Sequence, residues 1–511
     1  MTVVPVDAAH PVWRRLSPRM LIVHPVHEVL GQLPLLIGSL VLGSATGNQL
    51  MPIAALGLMV SFGIARWFTT SYRIDGEQIQ LRAGVVARKS LSLPRNRIRS
   101  VSTDARLLHR LLGLTVLQVG TGQEAAGDAG FALDAVRSDE VPGMRAILLD
   151  DSLSSAWPDA ATDAAPPDRV LARWQPSWLR YSPLSFTGLA MIAAAIGLVY
   201  QTGAAVALQD STLAREGVDA AERVGIVVTV AVAVVVVLVL SVVLSVGRSL
   251  VTFGNLVLSR RDDHGGAGVL HLEHGLLRAR EHTFDMRRLR GGTIREPLLV
   301  RMFGGARLDA VMTGVNGSGE ASLLLPPCPA ATVAGVLTEL IGRPDVVEGD
   351  LIGHGPVATR RRWTRALAIP VLLGVAMAGA TFVVAIPPFA WVAWVVVTVV
   401  AAFLAADRAR ALGHRTGGGW LVARAGSLER RRDCIATAGI IGWTVRQTYF
   451  QRRAGVATLV AATAAGVKGY RVLDVPAELA WSVAASASPW LSDNDWARDR
   501  RGPSCADTFA V

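Results

Sequence analysis

Apolar residues form six long runs along the 511-residue chain, and these runs occur in three pairs. Each run has about the 20 apolar residues that a helix needs to cross a bilayer. The pattern therefore predicts six membrane-spanning helices arranged as three hairpins. The paired runs cover residues 26–46 and 50–68, 184–206 and 224–246, and 366–386 and 389–406.

After each pair, the pattern changes to short alternations of polar and apolar residues around glycine-containing turns. The segment YRIDGEQIQLRAGVVARKSLSL at 72–93 is typical of antiparallel strands joined by tight turns. In contrast, DARLLHRLL at 104–112 places its leucines on one helical stripe, and Gly113 follows as a C-terminal cap. Each hairpin is therefore predicted to precede a module, which is a small antiparallel sheet or partial barrel with a C-terminal helix.

Three copies of this module recur at constant offsets. A position in the first copy corresponds to the position 191 residues later in the second copy and 342 residues later in the third. Two glycines and one arginine are kept in all three copies. We interpret the glycines as backbone positions that need positive φ or close approach. We interpret the arginine as a hydrogen-bond donor within its own module. The matching residues are Gly84, Gly275 and Gly426; Gly113, Gly304 and Gly455; and Arg110, Arg301 and Arg452.

The predicted organisation follows from these runs and repeats. It comprises an N-terminal segment (1–25), hairpin 1 (26–68), module 1 (69–150), a linker (151–183), hairpin 2 (184–247), module 2 (248–345), a linker (346–365), hairpin 3 (366–406), module 3 (407–491) and a disordered tail (492–511).

Charge placement predicts the orientation of the chain. Lys and Arg number 51 against 40 Asp and Glu, but only Arg215 and Arg223 lie in the loops opposite the modules. Because basic residues concentrate on the cytoplasmic side of a membrane, both termini and all modules are predicted to face the cytoplasm from a multi-pass position in the plasma membrane. This topology also explains the high pI, and no aromatic stacking pattern indicates nucleic acid.

The hairpins followed by LRAG, LPRNRIRSV and LLHRLLGLTVLQVGTG resemble the bacterial pleckstrin-homology-like (PH-like) membrane proteins. The three-copy layout resembles the YdbT type of that family, over roughly residues 20–490. The resemblance implies a seven-stranded PH-like fold with a C-terminal helix and no assigned catalytic activity. It also implies a shorter single-module PH-like membrane protein as one partner. The third copy has TAGIIGW where the first has RNRIRSV, so a shared ligand is not implied there.

Basic residues cluster at one point of the first two modules. Residues two apart in a strand share a face, so the first cluster would form a row facing anionic lipid headgroups or an acidic partner. Each basic residue near an anionic leaflet contributes about 1 kcal/mol. The alternative is a solvated edge strand that carries the cytoplasmic excess of charge. The clusters are Arg95, Arg97 and Arg99, and Arg287, Arg288 and Arg290.

No other set of residues indicates catalysis. His264, His271, His274 and His282 could ligate zinc, but His271 and His274 would point to opposite faces of a strand, so neither a metal nor another cofactor is predicted. The predicted spans hold almost no ionisable residues, whereas transporters keep such residues at mid-membrane. The sequence therefore predicts a non-enzymatic membrane scaffold whose modules bind anionic lipid headgroups, a protein partner or each other. Envelope maintenance or stress resistance is the expected role. An accessory of membrane transport or export is the alternative, and an enzyme acting on lipid or envelope precursors is less favoured.

Overall fold

The computed structural model describes residues 13–21, 50–75, 78–84, 88–94, 98, 100–105, 107–120, 131–141, 143–144, 169–185, 187–201, 225–261, 268–314 and 322–491. The chain divides into two compact units, Met1–Arg287 and Arg288–Val511. This division falls inside the second predicted module, which therefore contributes strands to both units.

Helices form where the apolar runs and the short helical stripes predict them. In chain order they are α1 (Leu50–Thr69), α2 (Leu107–Leu111), α3 (Thr187–Gln201), α4 (Ile226–Phe253), α5 (Leu298–Met302), α6 (Ala330–Ile341), α7 (Pro344–Glu348), α8 (Gly355–Ala380), α9 (Pro388–Ala411), α10 (Tyr449–Arg453) and α11 (Ala480–Ala487).

Twenty strands are described, all paired antiparallel. Those of unit 1 are β1 (Arg14–Arg15), β2 (Ser71–Ile74), β3 (Gln78–Ala83), β4 (Lys89–Pro94), β5 (Ser100–Ala105), β6 (Leu114–Gly120), β7 (Phe131–Arg137), β8 (Arg169–Arg173), β9 (Val257–Arg261), β10 (Val269–His274) and β11 (Ala279–Asp285). Those of unit 2 are β12 (Leu289–Pro297), β13 (Gly305–Met312), β14 (Leu323–Pro329), β15 (Gly413–Gly417), β16 (Trp420–Ala425), β17 (Glu429–Ala436), β18 (Ile440–Arg446), β19 (Val456–Thr463) and β20 (Gly469–Pro476).

Three described helices are long and apolar enough to cross a membrane: Val227–Phe253 within α4, together with α8 and α9. The predicted second span coincides with α1, and α3 is the described part of the third. The first predicted span, 26–46, lies outside the described residues. Three spanning candidates are thus found where six were predicted, and the six-span arrangement stays a prediction.

Small residues let paired helices approach closely, as the sequence predicts for Gly374. A Cβ atom on Gly374 of α8 would lie 2.6 Å from the Trp394 ring of α9. The Trp394 indole also donates to the Pro370 carbonyl at 2.8 Å. Similarly, a Cβ atom on Gly188 of α3 would overlap the Ser241 carbonyl of α4. Such close contacts at glycines suit membrane helices, which associate through packing.

The sheets are shared between neighbouring modules, which corrects the prediction of one sheet per module. The strand orders are β1-β2-β3-β4, β7-β6-β5-β11-β10-β9-β8, β14-β13-β12-β17-β16-β15 and β18-β19-β20. Thus the last three strands of module 1 continue into the first strands of module 2, and the same arrangement joins module 2 to module 3. Alternation in sequence predicts where strands form, but it does not specify which strand pairs at an edge.

The two places where modules share a sheet use the same register. At the first junction, β11 pairs with β5, and Thr283 lies opposite Val101. At the second junction, β17 pairs with β12, and Cys434 lies opposite Gly292. Since Thr283 corresponds to Cys434 and Val101 to Gly292 in the repeat, all five opposed pairs of the first junction recur at the second.

The opposite edge of each module is covered by chain that precedes its hairpin. Strand β1 pairs with β2, β8 pairs with β9, and Ile352 forms a bridge with His414. Two of these covering segments, β8 and Ile352, fall in stretches that the sequence assigns to linkers. Likewise, α8 begins at Gly355, before the end of the predicted linker 346–365.

The recurring glycines lie at turns with left-handed backbone. The value of φ is +66° at Gly113, +73° at Gly304 and +65° at Gly455, directly after α2, α5 and α10. At Gly84, Gly275 and Gly426 it is between +108° and +133°. A side chain is strained in this region.

Candidate functional site

The turn between β10 and β11 closes on the end of helix α4. The Gly275 amide donates to the Gly254 carbonyl at 2.8 Å, and the Leu276 amide donates to the Val251 carbonyl at 3.0 Å. The last carbonyls of a helix lack partners within the helix, so this turn caps α4. Leu276 and Leu277 are 40% and 43% exposed at this position. Module 2 therefore presents an apolar turn at the end of a membrane-spanning candidate.

In unit 2, an acidic residue joins the end of helix α9 to two modules. The Asp407 carboxylate accepts a hydrogen bond from Arg301 of α5 and one from Arg430 of β17, both at 2.8 Å. All three side chains are largely buried. Removing one member of a buried ion pair leaves an uncompensated charge, so Asp407 fixes the modules to the helix end.

The arginine kept in all copies reaches the following module. Arg110 of α2 donates to the Leu276 carbonyl at 3.2 Å, and Arg301 reaches Asp407. The sequence predicted hydrogen bonds within each arginine's own module, and these two contacts differ from that expectation. Arg452 of the third copy is exposed on α10. The difference arises because the sheet junctions bring each short helix beside the next copy.

Exposed apolar side chains surround these helix ends, and we call them the membrane-proximal edge. In unit 1 they are Leu111, Leu276 and Leu277, and in unit 2 they are Met302, Phe303 and Leu428. Leu111 and Met302 occupy the same repeat position, and both are exposed, at 81% and 69%. These residues were not predicted from the sequence. The signal that could have identified them is the apolar residue kept at the end of each of these two short helices.

The second basic cluster does not form a strand row. Arg287 and Arg288 belong to a single 3-10 turn, Met286–Arg288, and only Arg290 lies in a strand, β12. Arg287 donates through its backbone and side chain to Asp285. Arg95, Arg97 and Arg99 lie outside the described residues. The strand row predicted for the first cluster therefore stays a prediction, and the second cluster has a different backbone.

The same cluster lies at the far end of the strands from the helix ends. Strand β11 leads from the turn that caps α4 to Arg287, and its seven residues extend about 20 Å at roughly 3.3 Å each. In unit 2, Arg290 lies near the start of β12, whereas α5 with Arg301 follows the other end of that strand. The cluster and the membrane-proximal edge therefore lie at opposite ends of these strands.

A buried polar network holds the start of α8 against the third module. The Asp474 carboxylate lies 2.7 Å from the Arg362 guanidinium and 3.3 Å from that of Arg361. It also accepts a hydrogen bond from the side-chain amide of Gln451 at 2.7 Å. Both arginines lie in the first turns of α8, which explains why helix replaces the predicted linker there. The network therefore joins the first turns of α8 directly to the third module.

Two buried histidines lie beside this network. His354 Nδ1 lies 2.7 Å from the Leu473 carbonyl, and His354 Nε2 lies 2.8 Å from His414 Nδ1. Since a carbonyl only accepts, neutral His354 donates from Nδ1 and accepts at Nε2 from His414. Burial lowers the pKa of His414 to about 4 and also lowers the pKa of His354. Both rings are therefore structural and neutral at neutral pH.

The histidine group of module 2 has other partners. His271 lies 3.0 Å from Glu281, while His274 pairs with the Thr252 carbonyl at 2.8 Å. His282 stacks between His274 and Phe284, with ring centroids 5.9 Å apart in each case. His264 lies outside the described residues, and among those described no three His, Cys, Asp or Glu side chains gather as metal ligands.

Two regions of the chain, residues 29–151 and 368–487, match the family described as Bacterial PH domain. The first begins in the predicted span 26–46, and the second runs from α8 to the last residue of α11. The chain carries PH-like modules. The second match covers most of the helix pair α8 and α9 together with the strands of the third module. No curated protein and no solved structure matches the chain.

Proposed function

We propose that this protein is a non-enzymatic, multi-pass scaffold of the plasma membrane in the three-module form of the YdbT type. Six spans place both termini and all three PH-like modules in the cytoplasm. The modules rest their membrane-proximal edges in the headgroup region of the inner leaflet. Envelope maintenance or stress resistance, with a shorter single-module PH-like membrane protein as a partner, belongs to the same proposal.

The observation that carries the proposal is the direct bonding of module residues to helix ends. Backbone amides at 275–276 cap α4, and Arg301 and Arg430 hold Asp407 in the last turns of α9. A module fixed at a helix end cannot move far from the bilayer surface. Its exposed leucines and aromatic residues then contact the interface, where burying apolar surface contributes about 25 cal/mol per Å².

Basic side chains near the same helix ends favour anionic headgroups as the ligand. Arg248 lies exposed close to the end of α4, and Arg408 and Arg410 lie in the last turn of α9. Long basic side chains place their charge in the headgroup region while their stems stay among apolar groups. The anionic-lipid site therefore belongs at the membrane-proximal edge, and the cluster of Arg287, Arg288 and Arg290 is left to an acidic protein partner.

The test measures the depth of single nitroxide labels on the full chain in anionic nanodiscs. Labels at Leu277→Cys and Met302→Cys should collide more with oxygen than with a water-soluble nickel chelate, and a label at Arg287→Cys should show the reverse. Native Cys328 and Cys434 are buried, which raises the pKa of each thiol to about 12 and suppresses labelling. Cys505→Ser removes the remaining thiol. Equal exposure of all three labels to the chelate would refute the membrane-proximal edge.

A further inference from the structure

Two strand edges in the described part of the chain lack the partner that their repeat equivalents have. At the junctions, β11 and β17 each pair with the preceding module, and β5 and β12 each pair with the following one. Strand β4 is the first-module equivalent of β11, and β18 is the third-module equivalent of β5. Among the described residues, β4 and β18 each end a sheet.

The exposure of side chains on these two strands agrees with open sheet edges. Lys89, Ser90, Leu91 and Ser92 of β4 are all exposed, with Leu91 at 45%. Thr444 of β18 is exposed. In contrast, the equivalent of Thr444 at the second junction is covered: Thr293 is 3% exposed, and its hydroxyl donates to Asp433 at 2.7 Å. Unpaired edges of this kind are templates for strand addition.

The short helix beside β18 is open in the same way. Helix α5 uses Arg301 and the Leu298 amide, which donates to the Leu428 carbonyl at 2.7 Å, to contact the following module. Helix α10 is its third-copy equivalent, and Tyr449 and Phe450 are each 71% exposed there. The positions of α10 that correspond to the contacts of α5 with the next module are therefore exposed.

We propose that copies of this chain join head to tail, with β18 of one copy adding to β4 of the next as a third junction of the same kind. The junction register then places Thr444 opposite Leu91, Trp443 opposite Ser92 and Arg446 opposite Lys89. Continuity with two existing interfaces of identical register specifies a second copy as the occupant. Main-chain hydrogen bonds supply the attraction, as in other strand-addition complexes.

The side chains at this edge keep the association weak. Lys89 and Arg446 are directly opposed, and like charges in opposed positions destabilise a strand pair. At the second junction, the equivalent Arg295 and Arg431 are also opposed, but Asp309 and Asp433 accompany them. A head-to-tail interface continues into an open filament unless its rotation closes a ring, so weak ends limit uncontrolled growth.

The first experiment traps the junction between two differently tagged full chains, both carrying Cys505→Ser, in native membranes oxidised with copper phenanthroline in air. One chain has Leu91→Cys and the other has Thr444→Cys, so a disulfide between these positions requires two chains. We expect a band that carries both tags. The matched control replaces Leu91→Cys with Ser90→Cys, which lies on the same exposed strand and faces the other side of the sheet, and this pair should give no band.

The proposal would be overturned if the mixed-tag band is absent, or if the Ser90→Cys control gives a band of equal strength. Either result would leave β4 and β18 to a different protein or to closure within one chain. The second experiment adds Lys89→Glu to the Leu91→Cys chain, which places a carboxylate opposite Arg446 and should increase the yield of the mixed band. Adding Arg446→Glu to the partner should return the yield to the starting level. An unchanged yield in both variants would contradict the register.

Discussion

The two junctions between modules share a backbone register but differ in the side chains that cover it. At the first junction, Arg278 pairs with Asp104, and Thr103 donates to Glu281 at 3.0 Å. At the second, Arg295 takes the position of Asp104, and the acidic groups come from neighbouring strands. Main-chain pairing with turn glycines thus defines where modules join, while side chains set how strongly and at which pH each junction holds.

The largest predicted effect is the loss of stability at the second junction when Asp309 is replaced. This residue lies 2.5 Å from Arg295 and 3.2 Å from Arg307, and it is 2% exposed. Asp309→Ala leaves two largely buried guanidinium groups without their main carboxylate, which should cost about 3–5 kcal/mol. Hydrogen exchange followed by mass spectrometry should show faster exchange in β12 and β17.

The first junction supplies the control for this variant. Gln118 is the repeat equivalent of Asp309, and it is exposed on β6. Gln118→Ala should leave exchange in β5 and β11 unchanged. Equal effects of the two variants would contradict the idea that the junctions are charged differently.

A smaller loss is expected from the ion pair of the first junction. Asp104 is buried and accepts two hydrogen bonds from Arg278, which is itself more than a third exposed. Asp104→Ala should therefore cost about 2 kcal/mol, since an exposed guanidinium can recover hydrogen bonds from water. Thermal unfolding of the detergent-solubilised chain measures this loss.

The control is the exposed pair Arg137 and Asp139, which lie 2.7 Å apart and whose side chains are more than half exposed. Asp139→Ala should change the unfolding temperature little, because exposed ion pairs contribute little to stability. A loss for Asp139→Ala as large as for Asp104→Ala would show that position at the junction has no special effect.

The sequence predicts the elements of the fold but not their neighbours. Constant offsets placed the short helices correctly, because Gly113 and its equivalents end each helix with positive φ. The shared sheets were missed, since alternation along a strand says nothing about which edge it meets. The strand row predicted for Arg95, Arg97 and Arg99 lies outside the described residues, and the cluster at Arg287 includes a 3-10 turn that alternation does not predict. The contacts of Asp407 were not predicted, because its partners lie 106 and 23 residues away in the sequence.

Sidedness gives a prediction that depends on topology alone. Val383, between α8 and α9, is 86% exposed, and Ser90 and Ser138 are exposed module residues. If six spans place the modules in the cytoplasm, a membrane-impermeant maleimide added to intact cells should label Val383→Cys and should not label Ser90→Cys or Ser138→Cys. Permeabilised cells provide the control, in which all three should react. Labelling of the module positions in intact cells would contradict the predicted topology and indicate the opposite orientation.

The smallest predicted effect is a difference between the two junctions in how their stability depends on pH. His282 of β11 and Asp433 of β17 occupy the same repeat position. Burial, followed by the charge of His274, lowers the pKa of His282 to about 4. Between the ordinary value of 6.5 and that value, the unfolded state binds more protons, so stability at the first junction falls as pH falls through this window. From pH 7 to about 5.5 the loss should be about 1 kcal/mol.

Asp433 should respond in the opposite direction. Its burial raises the pKa of the carboxyl above 3.8, so the folded state binds more protons than the unfolded state. The resulting stabilisation is fully present below pH 3.8 and is lost as pH rises through the folded pKa. Acidification should therefore weaken protection of β11 and not that of β17 in hydrogen exchange corrected for intrinsic rates. His282→Phe should abolish the loss in β11, whereas Asp433→Asn should leave it in place. Parallel acid losses in both strands would mean that global unfolding, and not the residue at this shared position, determines the pH response.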